Sequence, residues 1–578
     1  MGDSNRVQSK CYILTATSEI MKIKNIWKIC LAGVGIFAFS CTSDLIEMNQ
    51  NPNGSDPDKT NPNLILSTVL TESAKSFVAL GYQDIAGVMQ HTQKDGWATG
   101  HNAYDWGGSN NWAGYYSILR NNQFVYDKAV EADWGLHQGI TLVMKSLMFG
   151  LITDLWGDAP YSQSLQGHLG GNEYTFPVYD SQEKIYEGIL ADLEKANNIL
   201  RTGNVSATVG ASDVYFNGDV TKWRRFANSL ALRYYMRLAE KAPSVAKAGI
   251  EKIAGDPEMY PIITQVDEDV TMSYPGNNNG DSWPSNATYD TDSTNYRRIK
   301  MADTFVRALK SMNDPRLGVW AEKVQVFLLV NDKLPTGTDI IKDTIVNGEN
   351  RRVRYLSPDN LLPAGTTIED INQSVDYVGL PTNISTPYQY NQNQSGTQSA
   401  RNPHVSWVNK RFADAKSGIK ARILSAAEVH FILAEASAVY GWNAGDAETH
   451  YNEGILASFA AWGLAGQAAA YMQQPKVAFD GTQEQILTQK WIASWSVATE
   501  AWFDWRRTGY PVLQGAAVAG VLPVRFYYML EERNLNTSNV NAANDKLEVT
   551  PFSPNGDDGA KNSIWSKPWI IQGTGKPW

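Results

Sequence analysis

Aromatic side chains in polar loops are the residues of this sequence whose types and spacing could do chemistry. The 578-residue chain contains 19 Trp, 27 Tyr and 46 Gly. One predicted loop, from His91 to Trp112, is rich in Asn and Gly and carries Trp97, Tyr104, Trp106, Trp112 and Asn102. A flat ring stacks on the apolar face of a sugar while amides bond its hydroxyl groups, and such a mixture is typical of ligand pockets. This loop therefore predicts a binding site.

A second polar loop repeats the pattern. The segment GNNNGDSWPSNATYDTDSTNY carries Trp283, Tyr289 and Tyr296, and Trp407 follows a third stretch of this kind. If aromatic-pair energies are a guide, each stacked ring contributes roughly 0.5–1.5 kcal/mol, so affinity would come from several contacts. The alternative is that these rings only fix the loops to the scaffold.

Catalytic patterns receive little support from the sequence. A glycoside hydrolase needs two carboxylates at a fixed separation, and Asp154 and Asp158 in TDLWGDAPY are the pair that could be proposed. The competing interpretation, which the sequence favours, is that both carboxylates bond backbone groups at a helix end and its turn. Nucleophile-elbow, P-loop and dinucleotide-binding motifs are missing from the chain. We therefore expect a protein without enzymatic activity.

Metal and cofactor sites are not predicted. The seven His residues are scattered, and His91 and His101 lie ten positions apart in one loop. A lone calcium contact is conceivable at Asn555, Asp557 and Asp558, but no EF-hand spacing follows them.

The motif EAWFDWRRTGYP has two interpretations. Trp502 and Trp505 lie three positions apart beside Arg506 and Arg507, which could suggest a site for acidic ligands. Aromatic residues at helical spacing are more often core residues. We therefore predict a buried helix end whose Arg residues pair with Asp504 or Glu500.

The N-terminal segment predicts export and lipid attachment. All three cysteines lie within the first 41 residues. From Met21, three Lys residues precede the apolar run Ile29–Phe39, which has the length of a signal-peptide core and is too short to span a bilayer. Cys41 directly follows Ala38, Phe39 and Ser40, which are small except for Phe39, as at the cleaved and acylated site of a bacterial lipoprotein. An ordinary secretory signal beside a chance cysteine is the alternative.

Composition narrows the class of protein further. The net charge is −10 and no Lys/Arg cluster is present, which argues against nucleic-acid binding. The segment after Cys41 is polar and rich in Asn and Pro, as in a flexible tether. We therefore divide the chain into a signal segment with an upstream leader (1–40), a lipidated tether (41–63) and one large domain (64–578), with acyl chains on Cys41 as its only membrane anchor.

Helical periodicity dominates the long domain. Apolar residues recur at helical spacing in Leu64–Ala86, Tyr115–Glu131, Gln138–Leu155, Ser181–Leu200, Lys222–Ala239, Gln483–Tyr510 and Arg525–Arg533. Two further helices after Ser425 span about the length of a tetratricopeptide unit. A short strand is predicted near Val324–Val330. These patterns predict a mostly α-helical, tetratricopeptide-like scaffold with a loop-rich remainder and a few short strands.

Motifs along nearly the whole chain resemble the SusD/RagB-like outer-membrane lipoproteins, in particular the SusD-like branch. They include Cys41 with NQNPNG, TDLWGDAPYSQSLQG, YDSQEKIYEGILADL, KWRRFANSLALR, NDPR, SAAEVHFILAEA, YNEGILASF, QKWIASW, WFDWRRTGYPVL and LPVRFYYMLEERNLN. Each is weak alone, but their order and spacing together make the resemblance strong.

The resemblance implies a cell-surface, outer-membrane lipoprotein without catalytic activity. Such a protein captures a glycan or another nutrient and delivers it to a SusC-like TonB-dependent transporter, over which it closes as a lid. It also implies a helical fold with tetratricopeptide-like repeats. The shared motifs do not mark ligand contacts, so the predicted contacts rest on the loop aromatics alone. A peptide ligand, a surface hydrolase and a purely structural lid remain the alternatives.

Overall fold

Long helices form the framework of the protein. A computed structural model describes residues 60–106, 110–290, 292–394, 396–398, 401–416, 418–515, 520–555 and 561–578. Cys41, the predicted signal segment, Asp557 and Asp558 lie outside the described residues. Residues Pro62–Trp578 make up one compact unit.

Most of the longer helices agree with the periodic segments of the sequence, but Pro243–Gly255, Asp303–Ser311 and Thr537–Asn544 have no predicted counterpart. The longer helices are Pro62–Ala79, Ala113–Glu131, Gly135–Trp156, Gln182–Thr202, Val220–Arg237, Pro243–Gly255, Asp303–Ser311, Ala426–Ala438, Ala447–Ala461, Gln483–Ala493, Thr499–Thr508 and Thr537–Asn544. The first continues through a π-helical turn, Leu80–Asp84, into a short helix, Ile85–Val88. Other short helices are Thr99–Asn102, Asn172–Thr175, Thr294–Arg298, Arg316–Trp320, Ala468–Met472 and Leu530–Leu535. The mostly helical fold is thus confirmed.

Five helix starts are fixed by the same kind of hydrogen bond. In each, the side chain before the helix accepts from the backbone N–H three positions later, which satisfies a group that the helix itself leaves unpaired. The residues that do so are Ser181, Asp219, Ser425, Asp446 and Thr482. Ser181 is the cap that the sequence predicts.

One predicted helix is wrong at its start. The segment from Arg525 is extended and the helix begins only at Leu530. Backbone pairing competes with the helix here, because the N–H of Phe526 donates to the carbonyl of Leu155 at 2.7 Å and that of Val524 donates to Ile564 at 2.8 Å. The segment therefore joins two distant parts of the chain.

The strands are short and pair in four small sheets. They are β1 (Thr92–Lys94), β2 (Ala159–Pro160), β3 (Tyr179–Asp180), β4 (Val270–Ser273), β5 (Ile299–Met301), β6 (Val326–Val330), β7 (Asp339–Val346), β8 (Glu349–Leu356) and β9 (Lys420–Leu424). Strand β1 pairs antiparallel with β5, β2 with β3, and β4 with β9. The fourth sheet has three strands in the order β6-β8-β7. The β1–β5 and β4–β9 pairs connect segments that are far apart in sequence.

Two helices in the described residues are long and apolar enough to cross a membrane. They are Gly135–Trp156 and the continuous helical stretch Pro62–Val88. In Gly135–Trp156, 94% of the most apolar part is buried inside the protein, and in Pro62–Val88 the buried share of that part is 50%. Helices that are apolar all round are expected in the core of a large domain, and both helices pack there.

A buried ion network joins four of the helices. Arg237 forms ion pairs with Asp154 and with Glu500, and the side chains of all three are at most 10% exposed. Tyr186 donates to Asp154 at 2.7 Å. Because a buried charge without a partner is costly, these contacts fix how the helices pack.

The network continues on both sides. Arg233 bonds both carboxylate oxygens of Glu428, at 2.6 and 2.8 Å, and Arg506 donates to the Asp154 carbonyl at 2.6 Å. Arg507 pairs with Glu435 at 2.7 Å and with Asp504 at 3.2 Å.

The predicted helix end at EAWFDWRRTGYP is therefore a core element. Trp502 and Trp505 are 0% and 5% exposed. Arg507 takes the predicted partner Asp504, whereas Arg506 reaches Asp154 instead.

Removal of the central guanidinium should destabilise the protein. We expect Arg237→Leu to lower the free energy of unfolding by about 3–5 kcal/mol, because it leaves two buried carboxylates without their shared cation. Chemical denaturation followed by far-UV circular dichroism measures the change. The matched control is Arg307→Leu, which removes an exposed i,i+4 pair with Asp303 and should cost less than about 1 kcal/mol. Equal losses for the two variants would contradict the importance of the network.

Candidate ligand-binding surface

Trp97 is the one predicted contact residue whose ring is largely open to solvent. Its side chain is 64% exposed, and its backbone φ of 53° lies in the left-handed region. Few non-glycine residues adopt that conformation, and those that do are held by their surroundings. Here the backbone N–H of Trp97 donates to Oε1 of Gln398 at 2.7 Å.

The segment around Gln398 also touches the residue before Trp97. A Cβ atom at Gly96 would lie 2.1 Å from the carbonyl oxygen of Gln398, so only glycine allows this close approach. The guanidinium of Arg298 lies 5.6 Å from the centre of the Trp97 ring. A cation over a tryptophan face is attractive and restricts the ring.

A buried ion pair lies beneath this loop. Lys300 and Asp95 are both 0% exposed, and Nζ of Lys300 lies 3.0 Å from a carboxylate oxygen of Asp95. The same Nζ lies 4.2 Å from the centre of the Trp407 ring. Burial raises the pKa of Asp95 and lowers the pKa of Lys300, because both charged forms lose hydration. The pair anchors the loop where β1 meets β5.

Two predicted residues support the loop rather than extend from it. Asn102 bonds both backbone groups of Lys94 at 2.9 Å, and so fixes the end of β1. Tyr296 is half-buried, donates to the carbonyl of Val408 at 2.9 Å and lies edge-on to Trp407 at 5.8 Å. Both side chains therefore have structural partners already.

Four of the predicted rings are core residues. Tyr104, Trp106, Trp112 and Trp283 are between 1% and 5% exposed. Trp106 lies edge-on to Phe526 at 4.8 Å, and Trp112 lies edge-on to Trp156 at 5.5 Å. Because other aromatic rings pack against them, these four residues lie outside the ligand-binding surface around Trp97 that we propose below.

Tyr289 lies on the surface, but its contacts are with residues other than those around Trp97. It is 41% exposed, and its hydroxyl donates to the carbonyl of Gly276 at 3.1 Å. The structure thus brings Trp97, Asn102 and Tyr296 to one loop cluster, while Trp283 and Tyr289 belong to another.

A cleft of about 500 Å³ is lined by the residues that precede Gln398 in sequence. Residues Gln389–Gln394 form part of its wall, with apolar and polar residues from 362–386 opposite. Asn391 and Gln392 both have positive φ, and Gln392 bonds the N–H and C=O of Leu362 at 2.8 Å. Because Gln398 follows within a few residues, the cleft and Trp97 share one supporting segment.

The carboxylates considered for hydrolysis are engaged elsewhere. Asp154 lies in the buried ion network. Asp158 accepts from the backbone N–H of Gln182 at 2.8 Å and from Lys546 at 2.9 Å. The interpretation of Asp158 as a backbone-bonding residue agrees with this structure, while Asp154 bonds side chains instead. Within the described residues, no group of three or more His, Cys, Asp or Glu is placed to hold a metal ion.

Sequence reasoning missed Arg298, Gln398 and the Asp95–Lys300 pair. Arg298 is close in sequence to the predicted Tyr296, so a search for cations beside loop aromatics could have found it. No local signal identifies Gln398 or Lys300, because their roles depend on pairing between β1 and distant segments.

The described residues form a mostly helical scaffold with polar loops, one of which presents the exposed ring of Trp97. The chain belongs to the SusD-like family described as starch-binding and associating with the outer membrane, whose model matches residues 55–338 and 338–529. This confirms the resemblance seen in the sequence motifs.

Several solved structures share the fold. A Bacteroides vulgatus protein, provisionally assigned to the outer membrane and to nutrient binding, is 24% identical with a TM-score of 0.67, over 89% of this chain and 100% of that one. A chitin-binding protein is 22% identical with a TM-score of 0.66, over 89% and 100%. A chitin-binding SusD homologue from Flavobacterium johnsoniae is 20% identical with a TM-score of 0.62, over 88% and 99%. No protein of curated function matches the chain.

Loss of the buried cation should strengthen the pH dependence of stability at this site, because burial already raises the pKa of Asp95 and Lys300 opposes that rise. In Lys300→Met, Asp95 is buried without a partner and keeps its proton to a higher pH than in the unfolded chain. The folded state then binds more protons, so stability should fall as pH rises above the unfolded pKa of about 3.9, by at most about 1.4 kcal/mol per pH unit. Urea denaturation at pH 5 and pH 8 tests this.

The control for this measurement is the double variant Asp95→Asn, Lys300→Met. It removes both charges from the site, and therefore should not show the added loss at pH 8. A single variant that behaves like the double variant would show that Asp95 does not depend on Lys300.

Proposed function

We propose that this protein is a cell-surface receptor that captures an oligosaccharide and delivers it to a SusC-like TonB-dependent transporter. The observation that carries the proposal is Trp97, an exposed ring held in a fixed orientation. A rigid aromatic surface binds a sugar face with little loss of conformational entropy.

The groups around Trp97 support a sugar as the ligand. Arg298 and Gln398 supply hydrogen-bond donors and acceptors beside the ring, and the neighbouring cleft has room for several sugar rings. The chitin-binding relatives favour the same ligand class. A peptide is the nearest alternative ligand, and a peptide panel in the binding experiment distinguishes the two.

Attachment to the cell surface depends on Cys41 in this proposal. The cysteine directly follows an apolar signal segment, and a polar tether separates it from the helical domain that begins near residue 64. Acyl chains on the sulfur would hold the protein at the outer membrane while the tether lets the domain move over its transporter. The family's association with the outer membrane supports this location.

Binding without hydrolysis is the expected activity. Asp154 and Asp158, the pair considered for a glycosidase, are each bonded within the scaffold. We therefore expect the purified protein to bind a glycan and leave it intact.

Substitution of the exposed ring should weaken binding. We expect Trp97→Ala to bind its polysaccharide about 2–13-fold less tightly, the loss that corresponds to one stacked ring. Affinity gel electrophoresis against a polysaccharide panel identifies the ligand, and titration calorimetry measures the change. The matched control is Phe176→Ala, which removes another exposed ring, 42% exposed, from a different loop. Binding equal to wild type in Trp97→Ala would refute the site.

Substitution of the acylated cysteine should release the protein. We expect Cys41→Ser to move from the membrane fraction to the soluble fraction, because one sulfur carries the anchor. Fractionation with metabolic labelling by a fatty-acid analogue measures both location and acylation. Cys30→Ser, within the signal segment, serves as the control and should remain membrane-bound. An acylated Cys41→Ser protein in the membrane would exclude Cys41 as the anchor site.

A further inference from the structure

A second surface of the protein combines aromatic rings with unpaired cations. Strands β4 and β9 pair antiparallel, with Thr271 opposite Arg422 and Ser273 opposite Lys420. Alternate residues of a strand share a face, and these four are the partly or fully exposed ones. The ribbon thus presents two cations and two hydroxyl groups on its outer face.

A cleft lies on each side of this ribbon. One has a volume of about 360 Å³ and is lined by Arg411, Lys420, Arg422 and Trp462, among others. The other has a volume of about 580 Å³ and is lined by Lys75, Tyr215, Tyr274 and Lys420, among others. Both clefts include Thr271 and Lys420 and therefore adjoin at the ribbon, and we call the two together the β4–β9 trough.

Trp462 lies between two guanidinium groups at one end of the trough. The centre of its ring is 6.0 Å from Arg411 and 5.9 Å from Arg422. Arg422 is held in place by Asp269 at 3.0 Å, and the second oxygen of Asp269 accepts from the backbone N–H of Ala426 at 2.7 Å. This part of the trough is therefore ordered by buried contacts.

The opposite end also carries a supported ring. Tyr274 is half-buried and lies edge-on to Trp283 at 5.7 Å. Trp283, which the sequence predicted as a ligand contact, thus lies behind a ring that lines a cleft. Tyr215 in the same wall is fixed by a 2.6 Å hydrogen bond to the carbonyl of Leu70.

The trough has an excess of positive charge. Asp269 balances Arg422, and Lys75 pairs with Glu72 at 3.2 Å and with Asp281 at 3.7 Å. Among the described residues, Arg411 and Lys420 form no ion pair with a carboxylate. Two cations without a direct ion-pair partner among the described residues are notable in a chain with a net charge of −10, whose overall field repels anions.

We propose that the β4–β9 trough is a second binding site and that its ligand is an acidic oligosaccharide containing uronate residues. Arg411 and Lys420 would bind the carboxylates, while Trp462 and Tyr274 would contact sugar faces near each end. The trough shares no lining residue with the cleft near Trp97. The proposal rests on the proposed function only in taking a glycan as the ligand.

Calorimetry with two oligosaccharides of equal length tests the inference. The full-length lipid-free protein is titrated with tetragalacturonate and with chitotetraose, at low and high salt. We expect tetragalacturonate to bind, with an affinity that falls as salt rises, because exposed charge pairs are screened. The double variant Arg411→Gln, Lys420→Gln should bind it about 2–30-fold less tightly, the range for two exposed ion pairs.

The control variant removes the same charge from another surface. Lys333→Gln, Lys342→Gln changes two exposed lysines near the β6-β8-β7 sheet and should bind tetragalacturonate as wild type does. Both double variants keep Trp462, which packs on Trp320 at 5.6 Å, so neither disturbs the core.

Three results would overturn the inference. The first is that tetragalacturonate does not bind, and the second is that the two double variants have equal effects on its binding. The third is that a single-stranded oligonucleotide of the same charge binds more tightly than tetragalacturonate.

The Trp97 site is judged separately, by the effect of Trp97→Ala on the binding of its own polysaccharide. If that polysaccharide binds and tetragalacturonate does not, only the second site fails. If no neutral glycan binds, the proposed function fails while the tetragalacturonate result still decides the trough.

Discussion

The packing of the helical scaffold depends on the guanidinium group of Arg237. It bridges a carboxylate on the Gly135–Trp156 helix and another on the Thr499–Thr508 helix, 346 positions apart (154 to 500). Hydrophobic burial alone would let helices slide against one another, because dispersion forces have little direction. Bonds between buried charges have fixed geometry and a large cost when broken. The network therefore sets the relative position of helices whose ends lead into the loops.

The loops carry the side chains of the candidate binding surface, and they are fixed by contacts of a different kind. Strand β1 pairs with β5, the N–H of Trp97 bonds Gln398, and Lys300 pairs with Asp95 beneath them. None of these contacts belongs to a helix. A scaffold of regular elements with loops joined to each other is how a single fold accommodates many ligands.

The helices could be predicted from sequence because their signals are local. The capping role of Ser181 and the apolar faces that follow it need no knowledge of the fold. The fate of the loop aromatics could not be predicted in the same way. Trp106 and Trp97 lie in one Gly- and Asn-rich loop, yet Trp106 is buried against Phe526 and Trp97 is exposed. That difference arises from contacts between residues more than 400 positions apart, which no local pattern encodes.

The contact between Gly96 and the carbonyl of Gln398 has an evolutionary consequence. Two loops that meet this closely cannot diverge independently, since lengthening either one would displace the ring that both support. Related proteins that acquire new substrates should therefore change both loops as a unit, by paired insertions or deletions. Co-variation of loop length, more than of any single side chain, would then record the history of specificity at this surface.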